Sequence, residues 1–329
     1  MVEKNPFKSV TKLVRLPSKS PLTGMEISQR WLGWAQIVRS RGGYFLADYA
    51  LEELSPEGVQ ASMLDPNVVI PPGVEQKIAS ILSKGQAKIK KVYLLIPDNV
   101  VKVVLLDNLQ RLPHREGEVV KLIQWKLKRT LPFRIEEAFI GFQPMTSRDG
   151  SLKLLVAIVK RDVRAQFERL FEPWGAVPGV VIPSSFGLVN FCHWSIPRGH
   201  NDSSESMVVN FSEAYISMVI FRGTEIIFFR TKELGAGFSG QSILEVALRE
   251  LNSSYIYYKE RLGGNGLEMV YVGGISPRLA ELKSQLRENF EFQVETINPW
   301  GAMKLDEGVS IDKGKLSRLA ATIGLLVRG

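Results

Sequence analysis

Apolar and polar positions alternate most regularly over residues 207–234, MVVNFSEAYISMVIFRGTEIIFFRTKEL, where two alternating runs flank the turn Arg222-Gly223-Thr224-Glu225. A period of two predicts strands with one face buried. The segment therefore reads as strand, tight bend at 210–214, strand, hairpin, strand. The pattern recurs near the start, over 24–32 and 33–38, with a turn at Arg41-Gly42-Gly43 and a further strand over 44–51. Two meanders, roughly one per half-chain, are what an internally duplicated fold leaves in a sequence.

Between and after them the periodicity changes. A short helix is predicted over 74–83, a lysine-rich loop over 84–91, and a buried strand over 92–96. Pro97-Asp98-Asn99 turns the chain into a strand over 100–106. Residues 116–129 place Val119, Leu122, Ile123 and Leu127 on one helical face, and Pro132 ends that helix. A strand pair follows over 139–145 and 152–159, then a helix over 161–171, a strand over 176–182 and a helix over 184–194. Ser184 or Ser185 is the expected N-cap of that last helix. The polar stretch 198–206 reads as an inter-lobe linker. Beyond the second meander come a long helix over 238–262 stopped at Gly263-Gly264, a strand over 269–272 running into Gly273-Gly274, a helix over 279–289, a strand over 291–297 and a closing helix over 316–326.

Composition narrows the function classes. The 329 residues, 45% hydrophobic and 23% charged, are enough for two lobes with separate cores. A single cysteine, Cys192, excludes an internal disulfide and reads as a small buried hydrophobe. His114, His193 and His200 lack ligand spacing, so no metal site is expected. Ser184, Ser185, His193 and Asp202 form a triad on paper, without a nucleophile elbow or oxyanion signature. No apolar run approaches the roughly 18 residues a bilayer requires, and the start has no signal core, so a cytoplasmic chain is expected. Of the net charge of +8, Lys4, Lys8, Lys12, Arg15 and Lys19 stand together in an arm with Glu3 alone against them, interleaved with Phe7, Val10, Leu13, Val14 and Leu16. Such an arm suits an anionic membrane surface, at about 1 kcal/mol per basic residue, or is a solvated tail. The other charges are scattered and no nucleic-acid module is visible.

Several segments read in order resemble the PilM family, actin-like components of type IV pilus assembly that are themselves similar to FtsA. They are VYLLIPDNVVKVVLLDNLQRLP at 92–113, Gln124-Trp125, Leu131-Pro132-Phe133 with Glu136-Glu137, Leu155-Val156-Ala157, Gly273-Gly274, Ile297-Asn298-Pro299 and AATIGLLVR at 320–328. The resemblance spans nearly all of 22–329. It implies an α/β, two-lobed actin-like ATPase fold with an inserted FtsA-like small α/β subdomain. The short passage from 234 to 263 implies a reduced outer subdomain in the second lobe. The expected units are a basic arm at 1–21, a first-lobe core at 22–84, an insert at 85–160, a return to the first lobe at 161–200, a second lobe at 206–300 and a C-terminal segment at 301–329 closing on the first lobe.

The resemblance also implies a nucleotide cleft and a partner. The cleft positions are Glu26, Ser28 and Arg30 at the first loop, Asn210, Ser212 and Glu213 at the second, and the Gly273-Gly274 turn. This chain departs from the family at both loops: Glu26-Ile27-Ser28-Gln29-Arg30 stands where the family has Asp-Ile-Gly-Ser-Ser, and Asn210-Phe211-Ser212-Glu213 where it has Asp-Ile-Gly-Ala. A non-glycine residue in a left-handed position costs only about 1 to 2 kcal/mol. The Glu213 charge near phosphate and the missing acid at Asn210, which magnesium would use, weigh more; Arg30 partly compensates. The expectation is a degenerate cleft without cofactor, with ATP and magnesium as the alternative if the cleft still works. The implied partners are the N-terminal cytoplasmic peptide of a PilN-like inner-membrane protein and pilus motor or platform components. The strand at 100–106, with Val100, Val103 and Leu105, is the candidate edge for peptide addition. The chain thus reads as a non-catalytic scaffold peripheral to the inner membrane. An ATP-dependent switch or ATPase of the same fold and a GspL-like secretion-platform adaptor are the alternatives.

Overall fold

Three antiparallel strands, β1 (Leu22–Ile27), β2 (Trp31–Ser40) and β3 (Gly43–Glu53), open the chain. Met25, Ile27, Leu32, Trp34, Ala35 and Ile37 are all buried, because this sheet is covered on both faces. The computed structural model describes residues 21–40, 43–83, 89–147, 149–195, 204–235, 242–306, 309–310 and 312–327. The basic arm up to residue 20, residues 196–197, and residues 198–203 of the expected linker lie outside the described residues.

After helix α1 (Pro71–Leu82), β4 (Lys91–Ile96) returns parallel to β1, and β8 (Val177–Pro183) lies parallel to β4. A short strand, β14 (Lys304–Leu305), adds to β3, which gives the six-stranded order β14-β3-β2-β1-β4-β8. The second lobe repeats the plan. β9 (Glu205–Phe211), β10 (Tyr215–Arg222) and β11 (Glu225–Glu233) form the meander, β12 (Met269–Gly273) pairs parallel to β9, and β13 (Gln293–Thr296) pairs parallel to β12. The order β11-β10-β9-β12-β13 matches β3-β2-β1-β4-β8 strand for strand. The duplication legible in the alternation is therefore a duplication of topology. β11 ends at Glu233 and helix α5 (Ile243–Arg261) starts shortly after, capped by Ser242 and Glu245. The second lobe thus passes almost directly from meander to helix, as its reduced outer part requires; residues 236–241 lie outside the described residues.

The insert is a three-stranded antiparallel sheet, β5 (Lys102–Leu109), β6 (Ala138–Thr146) and β7 (Leu152–Lys160), in the order β5-β7-β6. Helix α2 (Glu116–Leu127) buries Val119, Ile123 and Leu127 against Ile140, Phe142, Leu154, Val156 and Ile158 on one face of it. The alternate residues Phe139, Leu155, Ala157 and Val159 join the first-lobe core. The insert expected from residue 85 starts later, at β5: the continuous apolar run of β4 makes it an inner strand of the six-stranded sheet, paired on both sides. The tip of the β6–β7 hairpin reaches the second lobe. The Ser147 hydroxyl and Lys153 ammonium donate to Glu225 at 2.6 and 2.9 Å. Burial pushes the Glu225 carboxyl up, but these two partners outweigh it and hold it below its ordinary value.

Helices α3 (Arg161–Arg169) and α4 (Ser184–Ser195) return the chain to the first lobe. Helix α6 (Leu279–Asn289) and the single turn α7 (Pro299–Ala302) follow in the second half. The closing helix expected over 316–326 is broken at Leu319 into α8 (Lys313–Arg318) and α9 (Ala320–Leu326). α4 and α9 cross in backbone contact: a Cβ on Gly187 would stand 2.3 Å from the Ala321 carbonyl oxygen, and one on Gly324 would stand 2.0 Å from that of Gly187. α4 is buried on nearly every side, and its N-terminal serines face the seam between the lobes.

Candidate functional site

The seam is built around the two bends that the alternation placed between strands. In the β1–β2 bend the Ser28 N–H donates to the Trp31 carbonyl at 2.9 Å, and the Ser28 hydroxyl accepts from the Trp31 N–H at 3.0 Å. In the β9–β10 bend the Ser212 N–H donates to the Tyr215 carbonyl at 3.0 Å, and the Ser212 hydroxyl accepts from the Ala214 N–H at 3.1 Å. Both glycine-free bends close on themselves in the same way, serine satisfying the local backbone as it does in ST turns.

Two residues before each serine stand Glu26 and Asn210, both buried. Glu26 accepts from the Ser184 hydroxyl at the start of α4 and, at 3.3 Å, from the Thr322 hydroxyl of α9. Burial, the largest cause, together with the nearby Asp98 charge pushes its carboxyl up to about 7, although the two hydroxyls and Arg318 pull the other way. Asn210 donates to Asp98 at 2.8 Å across the lobes. Asp98, fully buried in the turn after β4, also accepts from the Ser185 N–H at 2.9 Å. This corrects the expected cap of α4: its N-terminus is capped by a carboxylate from a distant turn, and Ser184 turns instead to Glu26. Burial raises the Asp98 carboxyl above its ordinary value, and the Ser185 N–H works against that rise. Tyr215, buried beside Asp98 and Glu26, has its hydroxyl pushed well above the usual phenol range, first by burial.

The other expected cleft residues are placed as follows. Arg30 is exposed and pairs with Glu53 at 2.9 Å. Glu213 is half-buried, and its charge acts on Arg278 and Arg318. Gly274 has φ +124°, and a Cβ there would lie 2.3 Å from the Phe211 carbonyl oxygen and 2.8 Å from Asn210 Oδ1. The close approach that glycine permits at this turn is made by the chain's own β9. Gly273 packs against Leu188 and Ile297.

Three participants escaped the sequence reading. Arg318 stacks on Trp31 at 3.9 Å and donates through Nε to the Ile275 carbonyl at 2.8 Å, joining α8 to the turn after Gly274. Burial lowers its guanidinium, while Glu213, Glu26 and Glu53 act in the other direction. Thr322 and Asp98 are the other two. The only signals were a basic residue ending a short helix, a threonine in an apolar run and an ordinary Pro-Asp-Asn turn. The paper triad is not assembled. His193 lies nine positions beyond Ser184 on α4, about 13 Å along the helix, packs edge-on to Phe221 at 5.0 Å and has its imidazole pulled below the ordinary value by burial; Asp202 lies outside the described residues. Cys192 is buried, and burial drives its thiol far up.

A second feature lies where the insert meets the first lobe. Phe139 and Gly141 of β6, Ala157 and Val159 of β7, and Val181 and Ile182 of β8 line a small apolar pocket of about 20 Å³, part of it open to solvent. It exists because Gly141 and Ala157, direct cross-strand partners, present almost no side chain on the face turned toward β8. Arg164 of α3 closes one end, its guanidinium 3.7 Å over the Phe139 ring. β6 and β8 are each the outermost strand of their sheet. Of the expected docking residues, Val100 is fully buried. Val103 pairs with Ala157 and Leu105 with Leu155, so both share the face that lines the pocket. The edge of β5 itself lies beside β11 of the second lobe.

Comparison with known proteins gives the fold a counterpart. No protein-family model matches the chain, and no curated protein does. Among solved structures, the PilM-PilN type IV pilus biogenesis complex matches with a TM-score of 0.72 at 19% identity, over 94% of this chain and 98% of that one. The cytoplasmic domain of EpsL, an inner membrane component of the Vibrio cholerae type II secretion system, matches with a TM-score of 0.48 at 11% identity, over 94% and 98%. A Bacteroides thetaiotaomicron protein with an actin-like ATPase fold matches with 0.49 at 11%, over 87% and 93%. Among the described residues no helix is long and apolar enough to cross a membrane. In fold, this chain is a two-lobed actin-like protein with a small α/β insert and a reduced outer second lobe, similar to the PilM-PilN complex chain and far diverged from it in sequence.

Proposed function

We propose that the chain is a PilM-like scaffold that holds the N-terminal cytoplasmic peptide of a PilN-like inner-membrane protein and links that platform to pilus motor components, with a nucleotide cleft that no longer binds. The observation that carries this reading is the pocket between the outermost strands of two sheets. A peptide laid between β6 and β8 gains backbone hydrogen bonds from either edge, and the small apolar recess beside Gly141 and Ala157 takes the end of one of its side chains. The closed bends support the loss of nucleotide. The Ser28 and Ser212 N–H groups are already bonded, and Glu26, Asp98 and Asn210 bond within the protein.

Calorimetric titration tests both halves of the proposal. No heat is expected with ATP and magnesium, and saturable binding is expected with a synthetic PilN-like tail peptide. Tight ATP binding would instead identify a nucleotide-controlled switch. Val181→Glu, at a half-buried position on the outer strand β8, is expected to weaken the peptide at least about tenfold, or about 1.4 kcal/mol, while leaving the thermal midpoint within a few degrees. Unchanged affinity in the folded variant would move the docking site away from this pocket.

A further inference from the structure

The insert carries an interaction surface that the peptide groove does not use. α2 covers the opposite face of the three-stranded sheet, burying Val119, Ile123 and Leu127. At about 100° per residue, the direction away from that buried side falls on Trp125, which is 69% exposed. Lys121 and Lys128 flank it one turn away on either side, Arg129 follows Lys128, and Lys126 adjoins it; all four are exposed. Among the described residues none of the four has an ion-pair partner. From 111 to 134 the sequence sets seven cations against Glu116 and Glu118. Both acids lie in the first turn of α2, where the helix dipole accounts for them.

From this we infer that the outer face of α2 is a docking surface for an anionic lipid bilayer, with Trp125 seated among the headgroups and Lys121, Lys128 and Arg129 meeting lipid phosphates. An indole with its polar N–H suits the membrane interface, and lysines alongside it draw on the negative surface potential. Protein interfaces are depleted of lysine at their centre, and here the only large exposed apolar group on the helix is ringed by lysine and arginine. The inference extends the reading of the chain as peripheral to the inner membrane. It assigns lipid contact to the folded insert rather than to the basic arm alone.

The test is co-sedimentation of the full chain with vesicles of phosphatidylcholine, with or without phosphatidylglycerol. The wild type should bind only the phosphatidylglycerol vesicles and be released by salt. W125A should bind several-fold more weakly, and K121Q/K128Q about 25-fold more weakly, at about fivefold for each charge removed. The emission of the wild type should shift to the blue on vesicles, and that of W125A should shift less. No binding by the wild type, or variants that bind as the wild type does, overturns the inference and in the second case leaves lipid contact to the arm. Polyglutamate binding as tightly as the vesicles, with Trp125 dispensable, assigns the patch to an acidic protein and also overturns it. Titration of the tail peptide on the same variants reports on the groove separately, so failure of one surface is not read as failure of the other.

Discussion

Asn210→Asp destabilises the folded chain by about 3 to 5 kcal/mol near neutral pH, the cost of an uncompensated charge in a buried polar pair. The substitution restores the acid that the second bend of the PilM family carries, yet it sets a carboxylate where the Asn210 amide now donates to Asp98 at 2.8 Å. Two carboxylates at that distance cannot both ionise, so one is driven far up in pKa. Asp98 is already raised by burial. For an acid raised in the folded state, stability is fully present below its unfolded pKa and is lost as pH rises through the folded one. The deficit of N210D should therefore shrink toward about pH 4 and be largest above neutrality. The swap D98N/N210D moves the amide to the other lobe: at position 98 its oxygen accepts from the Ser185 N–H while its nitrogen donates to the carboxylate now at position 210. Denaturant midpoints of the wild type, N210D and the swap at acid and neutral pH decide the matter. A swap no more stable than N210D would mean that the Asp98–Asn210 bond does not join the lobes.

Glu26→Gln is expected to act in the opposite direction, stabilising the protein at alkaline pH by about 3 kcal/mol, which is what a rise from 4.5 to about 7 in a fully buried carboxyl corresponds to. Glutamine keeps both hydrogen bonds, accepting from Ser184 through Oε1 and donating to Thr322 through Nε2, and it removes the burial cost of the charge. The wild type loses stability as pH climbs from its unfolded value through about 7. Below about pH 4.5 Glu26 is protonated in both states, and the two proteins should unfold alike. A gap between E26Q and the wild type that is flat from about pH 4.5 to 8 would show that Glu26 does not titrate near neutrality.

Wherever a physical period governs the backbone, the sequence was readable. The alternation of 207–234 and its echo at 24–51 fixed two meanders because each strand must send every other side chain into a core, and the structure adds that the middle strands β2 and β10 are buried on both faces over most of their length. The amphipathic stripe of 116–129 gave α2 to within two residues. The buried run 92–96 showed a strand but not its sheet, since an apolar run says nothing of its neighbours; β4 accordingly proved to be first-lobe core rather than insert. At the seam, Glu26, Ser28, Asn210 and Ser212 were found from the resemblance together with their place in the bends, whereas the partners of Glu26, Ser184 and Thr322, 158 and 296 positions away, leave no periodic trace. Asp98 was read as a turn residue, which it is, but its burial and its two bonds depend on α4 and β9 arriving from elsewhere. The pocket depends on absent side chains, at Gly141 and Ala157, whose pairing across two strands only the register reveals.

The bond from the β6–β7 hairpin to Glu225 gives the molecule a load path. A segment held between β6 and β8 pulls on a sheet whose far corner, at Ser147 and Lys153, is fastened to the β10–β11 hairpin of the other lobe. Tension entering there is shared by both lobes through this outer strut, while the Asp98–Asn210 bond at the centre acts as the pivot. The two lobes under strain then behave as a braced frame, in which the outer strut adds to the seam contacts, Asn99 on Glu233 and Phe186 against Phe229 among them, in resisting the turning of one lobe against the other.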